Sequence, residues 1–594
     1  LANAKWRLKN PKNDIRLMSV TLGVSELTAR LLANRGLGSK NAATKFLYPK
    51  LEFLHGWRGL KDMEKAVNIT RKAIKTDERI VIYGDYDVDG VTSTVILLKT
   101  LQSLGANVSY YIPRREEEGY GLNRGAVMSL IEAETGLLIA CDNGIGALEE
   151  IALAVSSDVK VIVIDHHEPG FVEENGVKAD VVPMADAVID PKQAACAYPF
   201  KQMCAAALAY RFAEALFGSF GREFELRDEC LIFAAIATVC DIVPLLDENR
   251  IIAKNGLAAL NADKTRNPGL LALIEKRNLR EKAVSVFDIG FIIGPCINAS
   301  GRLSHAADAV RLFTSEDGRE IDELAEKLVA LNEERKQLTA KAAEKIIQEL
   351  NKQENLDKVI VIYDKEIHES IVGIIAGKVK ETLCRPVIVL TDGAEYVKGS
   401  GRSIEAYNMY EALYRNRSLF LRFGGHAMAA GLTLARENVD ALRQRLNAEC
   451  GLTEEDFVPL ICLDAALPLA GVTYKLVSEL ELLAPFGKDN PEPLFGAKGL
   501  RPVDVRAIDN KNTIIFTFMA GDNDRRIRGV CFGLNDKWRD AVNGLYDKWE
   551  AEKILAGVLR SADFFMDIVY SPELNEYNGV VSVQIRVRDF RVYR

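Results

Sequence analysis

The residues best equipped for chemistry in this chain are carboxylates and histidines gathered in four short pieces. These are Gly84-Asp85-Tyr86-Asp87-Val88-Asp89-Gly90, Cys141-Asp142-Asn143-Gly144, Asp165-His166-His167 and Cys240-Asp241. Each is predicted at the end of a strand, the fourth after the apolar segment LIFAAIATV. Open parallel sheets bind ligands outside the carboxyl ends of their strands, so Asp85, Asp87, Asp89, Asp142, Asp165, His166 and His167 should project into one zone. Carboxylates converging in one crevice repel each other and raise each other's pKa. Hard divalent cations relieve that repulsion, because carboxylate oxygens are their natural ligands. Imidazole in the set favours Mn2+, with Mg2+ possible. One carboxylate bridging two ions about 3.5–4 Å apart would make a two-metal hydrolase centre. Taken singly, DxDxDG could be a calcium loop, Asp142 a helix cap and His166-His167 core histidines. An EF-hand needs a distal Glu and flanking helices, whereas the flanks here read as strand and helix. The combination is more specific than any of its parts.

The elements that must position these pieces alternate. RIVIYG (79–84) is a short apolar run, and VTSTVILLKTLQSLG (91–105) carries Val91, Val95, Leu98 and Leu101 on one helical face. NVSYYI (107–112), a helix near 123–135, LLIAC (137–141), a helix near 146–156 and VKVIVID (159–165) follow. This order predicts a parallel α/β sheet. Residues 200–275 read as mostly helical. Residues 318–352 read as one charged helix of about 50 Å at 1.5 Å per residue, with Ile321, Leu324, Leu328, Leu331 and Leu338 as a narrow apolar stripe. A long polar helix of that kind bridges two domains. A second α/β unit runs through KVIVIY (358–363), RPVIVL (385–390) and GGHAMAAGLTL (424–434). In the tail, TIIFTFM, RRIRGVCFG, FFMDIVY and VVSVQIRVRDFRV read as strands around a helix at 535–555, which suggests a small oligonucleotide-binding barrel. Residues 1–50 read as short helices without chemistry.

Composition narrows the function classes. At 594 residues, with 48% hydrophobic and 27% charged, the chain has ordinary globular usage and length for about three to five domains. The 10 cysteines include no CxxC pair, which excludes a zinc ribbon and a disulfide scaffold. Cys141, Cys204, Cys240 and Cys296 sit among apolar residues, as reduced thiols of a cytoplasmic protein do. No apolar run is long enough for a membrane span, and the first residues lack the apolar core of a signal peptide. A net charge of −8 argues against a protein that coats nucleic acid, yet leaves room for a local basic groove. Between 398 and 426, Lys398, Arg402, Arg415, Arg417 and Arg422 outweigh Glu405 and Glu411, and Arg525, Arg526 and Arg528 add a basic strand in the tail.

DYDVDG, CDNG, DHH and the later Asp241 resemble the four motifs of the DHH phosphoesterase superfamily. GPCINASGRL (294–303) is similar to the stretch that closes its catalytic domain. KGSGRS (398–403) and GGHAMAAG (424–431) are similar to its associated DHHA1-type second domain. LAPFGKDNPEPLF (483–495) and the barrel-like tail resemble the superfamily's single-strand-specific 5′→3′ exonucleases. The resemblance implies an α/β fold: an N-terminal helical segment (1–50), a parallel-sheet DHH catalytic domain (51–315), a connecting helix (316–355), a DHHA1-type substrate-binding domain (356–455) and an OB-like β-barrel (456–594). It implies a metal-dependent hydrolase of single-stranded DNA that yields 5′-mononucleotides in recombination and repair.

By position, the resemblance makes Asp87, Asp89, Asp142, His166 and Asp241 metal ligands, with Asp142 the bridge and Asp85 a ligand or its neighbour. His167 would contact the scissile phosphate, and Asp165 would orient a histidine. Arg115, Asn298, Arg302, Ser400, Arg402 and His426 would bind substrate, with Arg114 competing for the place of Arg115. Tyr120, Tyr407, Tyr410 and Phe423 are the aromatics available for base stacking. The implied cofactors are two divalent ions, Mn2+ preferred and Mg2+ possible. The implied partners are single-stranded DNA, a single-strand-binding protein and a RecQ-type helicase. Two alternatives remain open: a hydrolase of short oligonucleotides or cyclic dinucleotides, and a non-catalytic single-strand-binding replication scaffold. The long tail favours a polymer substrate, and a degenerate scaffold should lack ligands.

Overall fold

In the computed structural model, the apolar runs at 80–83, 108–111, 137–141, 160–164 and 187–189 become parallel strands. The structure describes residues 4–594 except 116, 175–176, 263–266, 522–524, 560–562 and 578. It falls into two units, Pro49–Cys450 with Gly487–Asn490, and Leu1–Tyr48 with Gly451–Phe486 and Pro491–Arg594.

In the first unit, β1 (Ile80–Tyr83), β2 (Val108–Tyr111), β3 (Leu137–Cys141), β4 (Lys160–Ile164) and β5 (Ala187–Ile189) pair in the order β2-β1-β3-β4-β5. The order reverses between β1 and β3, which opens a crevice at their carboxyl ends. Both faces are buried. Ile80, Ile82, Ile139, Ile162 and Ile164 enter one core, and Val81, Tyr83, Leu138, Val161 and Val163 enter another. Continuous apolar strands are what a doubly covered parallel sheet requires.

Helix α1 (Val88–Ser103) leaves β1 through DYDVDG, α2 (Ala205–Ser219) and α3 (Arg227–Cys240) pack on it, and α4 (Gly294–Leu303) follows. Asp241 stands at the end of α3 and not of a strand. LIFAAIATV is buried on every side within that helix, and such a segment has no periodicity to separate it from a buried strand.

Helix α5 (Gly318–Leu350) is the single long helix expected. Ile321, Leu324, Ala325 and Leu328 belong to the catalytic core, while Ala343 and Ile346 belong to the core of the next sheet. The stripe departs from the expectation at Leu338, which is exposed; Asn332 and Thr339 are buried instead. The next sheet comprises β6 (Ile360–Tyr363), β7 (Val387–Asp392), β8 (Val397–Arg402), β9 (Phe420–His426) and β10 (Ala429–Leu434), in the order β9-β10-β8-β7-β6. Helix α6 (Val372–Leu383) joins β6 to the parallel β7, and the remaining pairs are antiparallel.

In the second unit, β11 (Ala465–Ala466), β12 (Phe495–Leu500), β13 (Pro502–Ile508), β14 (Thr513–Met519), β15 (Arg526–Phe532), β16 (Phe565–Tyr577) and β17 (Val580–Tyr593) form the OB-like sheet. Their order is β11-β12-β16-β17-β15-β14-β13. Phe516 packs 5.5 Å from Trp538 and 5.9 Å from Phe590, ring centre to ring centre, in its core. The helix expected over 535–555 is two helices, Asn535–Leu545 and Lys548–Leu555, the second capped by Asp547. The N-terminal segment contains its short helices and also a strand, Lys5–Leu8, parallel to Leu460–Leu463. Arg525 is tied to the carbonyls of Leu469 and Val472, so only Arg526 and Arg528 of the basic strand reach solvent. No described helix is long and apolar enough to cross a membrane.

The start of α1 presses so closely on the end of β1 that a Cβ at Gly90 would lie 2.5 Å from the Asp85 carbonyl carbon. Backbone cannot yield as a flexible side chain would. Gly90→Ala should therefore destabilise this unit by about 1–3 kcal/mol, the usual range for overpacking. An unchanged unfolding midpoint in urea would show that the two elements are not in contact there.

Candidate metal centre

The crevice between β1 and β3 collects the acidic pieces. Asp87 caps α1, its Oδ1 accepting the backbone N–H groups of Asp89 at 2.8 Å and Gly90 at 3.1 Å. Asp89 accepts the N–H groups of Ala205 at 2.7 Å and Ala206 at 2.8 Å, at the start of α2. Two helix N-termini thus place positive partial charge against the cluster. Asp142 leaves β3 in the left-handed region, at φ 62°, a conformation that Asp tolerates better than most residues. His166 Nε2 lies 3.2 Å from Asp142 Oδ1, 3.6 Å from Asp89 Oδ2 and 3.8 Å from Asp241 Oδ2.

These donors form overlapping sets. Asp85, Asp87 and Asp142 offer ligand atoms within 4.8 Å of one another, and so do Asp89, His166 and Asp241. A third set, Asp142, His166 and His167, overlaps both. Buried Asp85 Oδ1 has no hydrogen-bond partner among the described residues. A buried carboxylate oxygen left in that state is costly unless a cation takes it. Oxygen donors with one or two imidazoles are the chemistry that Mn2+ and Mg2+ accept.

The electrostatics agree. Burial, followed by neighbouring carboxylates, pushes Asp85 and Asp142 well above the ordinary carboxylate range. The same causes carry Asp89 to about 7 and Asp241 to about 8. Burial and then the charge of His167 lower His166 to about 3, which leaves it a neutral imidazole with a free lone pair. His167 is the opposite case. Burial would lower it, but its Nδ1–H bond to Asp165 Oδ1 (2.7 Å) and the Asp165 charge raise it to about 9. Asp165 in turn sits near 2, where its bond to His167 and that charge overcome burial. Its oxygens also accept the N–H groups of His166, His167 and Ile145, so it positions the histidines. Tyr120 Oη lies 3.2 Å from His167 Nε2 and donates to the Asp142 carbonyl at 3.1 Å.

Cationic groups border this centre. The Arg115 guanidinium stacks 5.0 Å above the Tyr86 ring, whereas Arg114 turns to Glu117; Arg115 is the one that faces the acidic loop. Arg302 on α4 donates to the Ser370 carbonyl at the entrance to α6. Burial, then Arg115 and Arg335, lowers it to about 10. Like charges held together under burial favour an anion among them. Arg402 donates from Nη1 to Ser400 Oγ at 2.7 Å, and a Cβ at Gly373 in α6 would come within 2.8 Å of Arg402 Nη2. The start of α6, Arg302, Ser400 and Arg402 therefore surround one helix N-terminus, an anion-binding arrangement. Asn298 Oδ1 accepts the Val88 N–H and ties α4 to the acidic loop. His426 ends the edge strand β9 exposed, in the cross-strand row of Ala429 and Arg402.

Of the aromatics, Tyr407 is buried and cannot stack on a base. Tyr410 and Phe423 join Tyr414 and Phe420 in one cluster with ring separations of 5.5–6.5 Å, and Arg417 lies over Tyr414. Tyr86, Arg335 and Tyr414 were not foreseen. Tyr414 stands four residues after Tyr410 on one helix, a spacing that would have found it. Arg335 lies in a uniformly charged helix, where nothing local distinguishes it.

Residues 79–238 match the DHH family N-terminal domain, residues 356–451 the DHHA1 domain and residues 463–589 the RecJ OB domain. The single-stranded-DNA-specific exonuclease RecJ of Bacillus subtilis is 36% identical over 594 residues, 99% of this chain and 71% of that protein. Its Escherichia coli counterpart is 32% identical over 94% of both chains. The crystal structure of RecJ from Thermus thermophilus in complex with Mn2+ matches with a TM-score of 0.81 at 28% identity, over 99% of this chain and 79% of that one. With such identities along almost its whole length, the chain belongs to the RecJ family of single-stranded-DNA-specific exonucleases.

Proposed function

We propose that this chain shortens single-stranded DNA from its 5′ end, one 5′-mononucleotide at a time, with two divalent cations in the acid–histidine centre. The observation that carries this is the pair of donor sets linked by a third through Asp142 and His166, next to a separate group of arginines. Asp85, Asp87 and Asp142 would hold one ion and Asp89, His166 and Asp241 the other, Asp142 lying between them. Mn2+ is the preferred ion and Mg2+ the alternative. Bound there, such ions supply charge neutralisation for the scissile phosphate and hydroxide at neutral pH.

The remaining work falls to the chain. Cationic His167, held by Asp165, donates to a non-bridging oxygen of the scissile phosphate. Arg115, Arg302, Ser400 and Arg402 hold the 5′-terminal phosphate, so the bond presented for cleavage is one nucleotide further on. Asn298 positions the acidic loop, and His426 extends the phosphate-binding row. Tyr120, and beyond it the Tyr410–Phe423 cluster, stack on bases that only a single strand exposes. Water attacks phosphorus, the P–O3′ bond breaks, and the departing 3′-oxygen takes its proton from solvent. A RecQ-type helicase and a single-strand-binding protein are fitting partners, since they would supply and keep open the free single strand. The cytoplasm is the fitting compartment.

Asp142→Ala should reduce hydrolysis of a 5′-phosphorylated, 3′-labelled strand by at least a thousandfold with the fold retained by circular dichroism; retained Mn2+-dependent activity would refute the bridge. Arg402→Ala should raise KM for a 5′-phosphorylated strand about tenfold or more, yet leave a 5′-hydroxyl strand nearly unaffected. Equal effects on both would remove Arg402 from the clamp.

The pH dependence has a definite sign. Raised carboxylates stabilise the metal-free protein at low pH, and that stability is lost as pH rises through about 7 for Asp89 and about 8 for Asp241. Cation binding needs both ionised and displaces their protons. The gain in Tm on adding Mg2+ should therefore increase from pH 6 to pH 8.5. A gain independent of pH would show that the ion binds elsewhere.

A further inference from the structure

A cavity of about 600 Å3 opens at the His166–Asp241 edge of the centre, where the proposed mechanism places nothing. The arginine clamp gathers at the other edge, around Tyr86 and Asp87. His166 lines the cavity, and its walls come from Glu168, from the 192–203 stretch between β5 and α2, and from the segment that follows Asp241. Lys192 and Lys201 are among them. The Lys192 ammonium lies near enough to favour ionised Asp241 and to oppose protonation of His166. It is 3.3 Å from Glu168 Oε1 at the solvent side, and Lys201 Nζ donates to the Cys196 carbonyl.

Ile242 forms part of the rim beside Pro244. It is 69% exposed and has φ 56°, directly after Asp241. A β-branched residue in the left-handed region is a strained outlier, held only by its surroundings. The strain fixes an apolar side chain in solvent, next to a ligand of the reacting centre.

We infer that this cavity seats the nucleotide on the 3′ side of the scissile phosphate, the first nucleotide of the strand that remains after each cut. The inference rests on the 5′→3′ reading above. A phosphodiester at the centre has a nucleoside on each side, and the clamp takes the 5′ one. The 3′ nucleoside must then leave by an edge that the clamp does not occupy, and no clamp residue lines the cavity. Its volume suits one nucleotide. Lys192 and Lys201 are point charges for the next backbone phosphate, which carries no sequence information. Ile242 and Pro244 offer apolar surface to any sugar or base. Because hydrolysis breaks P–O3′, the cleaved phosphate stays on the nucleotide in this cavity and becomes the new 5′-phosphate. Each cycle moves it across the centre into the arginine clamp.

Two substrates isolate the cavity. One is 5′-phosphorylated dT8. The other is thymidine 5′-phosphate bearing a 3′-(methyl phosphate), which has the scissile diester but only a methyl group beyond it. In the Lys192→Ala/Lys201→Ala variant, kcat/KM for dT8 relative to the methyl ester should fall at least tenfold, mainly through the KM for dT8. Lys192→Arg/Lys201→Arg should recover most of that ratio. Ile242→Ala, on the surface, should lower it several-fold without the lysine changes. A ratio unchanged in both alanine variants, whether or not the absolute rates fall, overturns the inference, because a folding or metal defect would depress both substrates alike. If the unaltered protein releases no thymidine 5′-phosphate from the 5′ end of dT8, the polarity reading fails and the inference with it.

Discussion

Repulsion among carboxylates in a nearly dry crevice governs this structure. Asp85, Asp89 and Asp142 are each at most 2% exposed, and Asp241 is close by. Three devices make their burial tolerable. The N-termini of α1 and α2 point at Asp87 and Asp89 through backbone N–H groups. The switch in strand order between β1 and β3 leaves room at their ends. Neither removes the net charge, and burial followed by neighbouring carboxylates raises four of the carboxylates. Divalent cations are the third device, so metal binding is a structural requirement of the ionised state as much as a catalytic one.

The same crevice sorts two adjacent histidines into opposite charge states. Burial and then the charge of His167 keep His166 neutral, the state a metal ligand needs. His167 is turned onto Asp165, whose oxygens are engaged by three backbone N–H groups and one imidazole. A neutral imidazole and a cationic one thus come from consecutive positions, set apart by one ion pair. Beyond them, α5 is packed into two hydrophobic cores at once and joins the catalytic sheet to the sheet that carries Ser400 and Arg402. Arg302 bonded to the Ser370 carbonyl links the two sheets a second time. The placement of Ser400 and Arg402 relative to the acidic crevice is therefore held by packing.

Legibility in the sequence followed the range of the interactions. β1 to β4 with the helices between them were readable, because apolar alternation and glycine stops are local. The acidic pieces were readable because strand ends converge in any open parallel sheet. The helix before Asp241 was obscured by its own burial, since a segment apolar on every side has lost its period. The strand Lys5–Leu8 was invisible for a different reason: its partner, Leu460–Leu463, is at the other end of the chain. The choice between Arg114 and Arg115 depended on a ring, Tyr86, whose place only the folded loop defines. Arg335 and the exclusion of Tyr407 likewise depend on packing between elements distant in sequence.

Polarity of degradation can be read as an asymmetry of surroundings. On the Tyr86–Asp87 side the centre is bounded by half-buried guanidiniums and a helix start, which suit a terminal dianion. On the His166–Asp241 side it opens into a wide cavity with two ammonium groups and an exposed apolar rim, which suit an ordinary internal nucleotide. A strand entering backwards would bring its 3′-hydroxyl to the guanidiniums, and three like charges gathered there are better matched by a terminal phosphate than by a hydroxyl. Direction then follows from which end of a polymer satisfies the closed side, and no separate device is required to choose it.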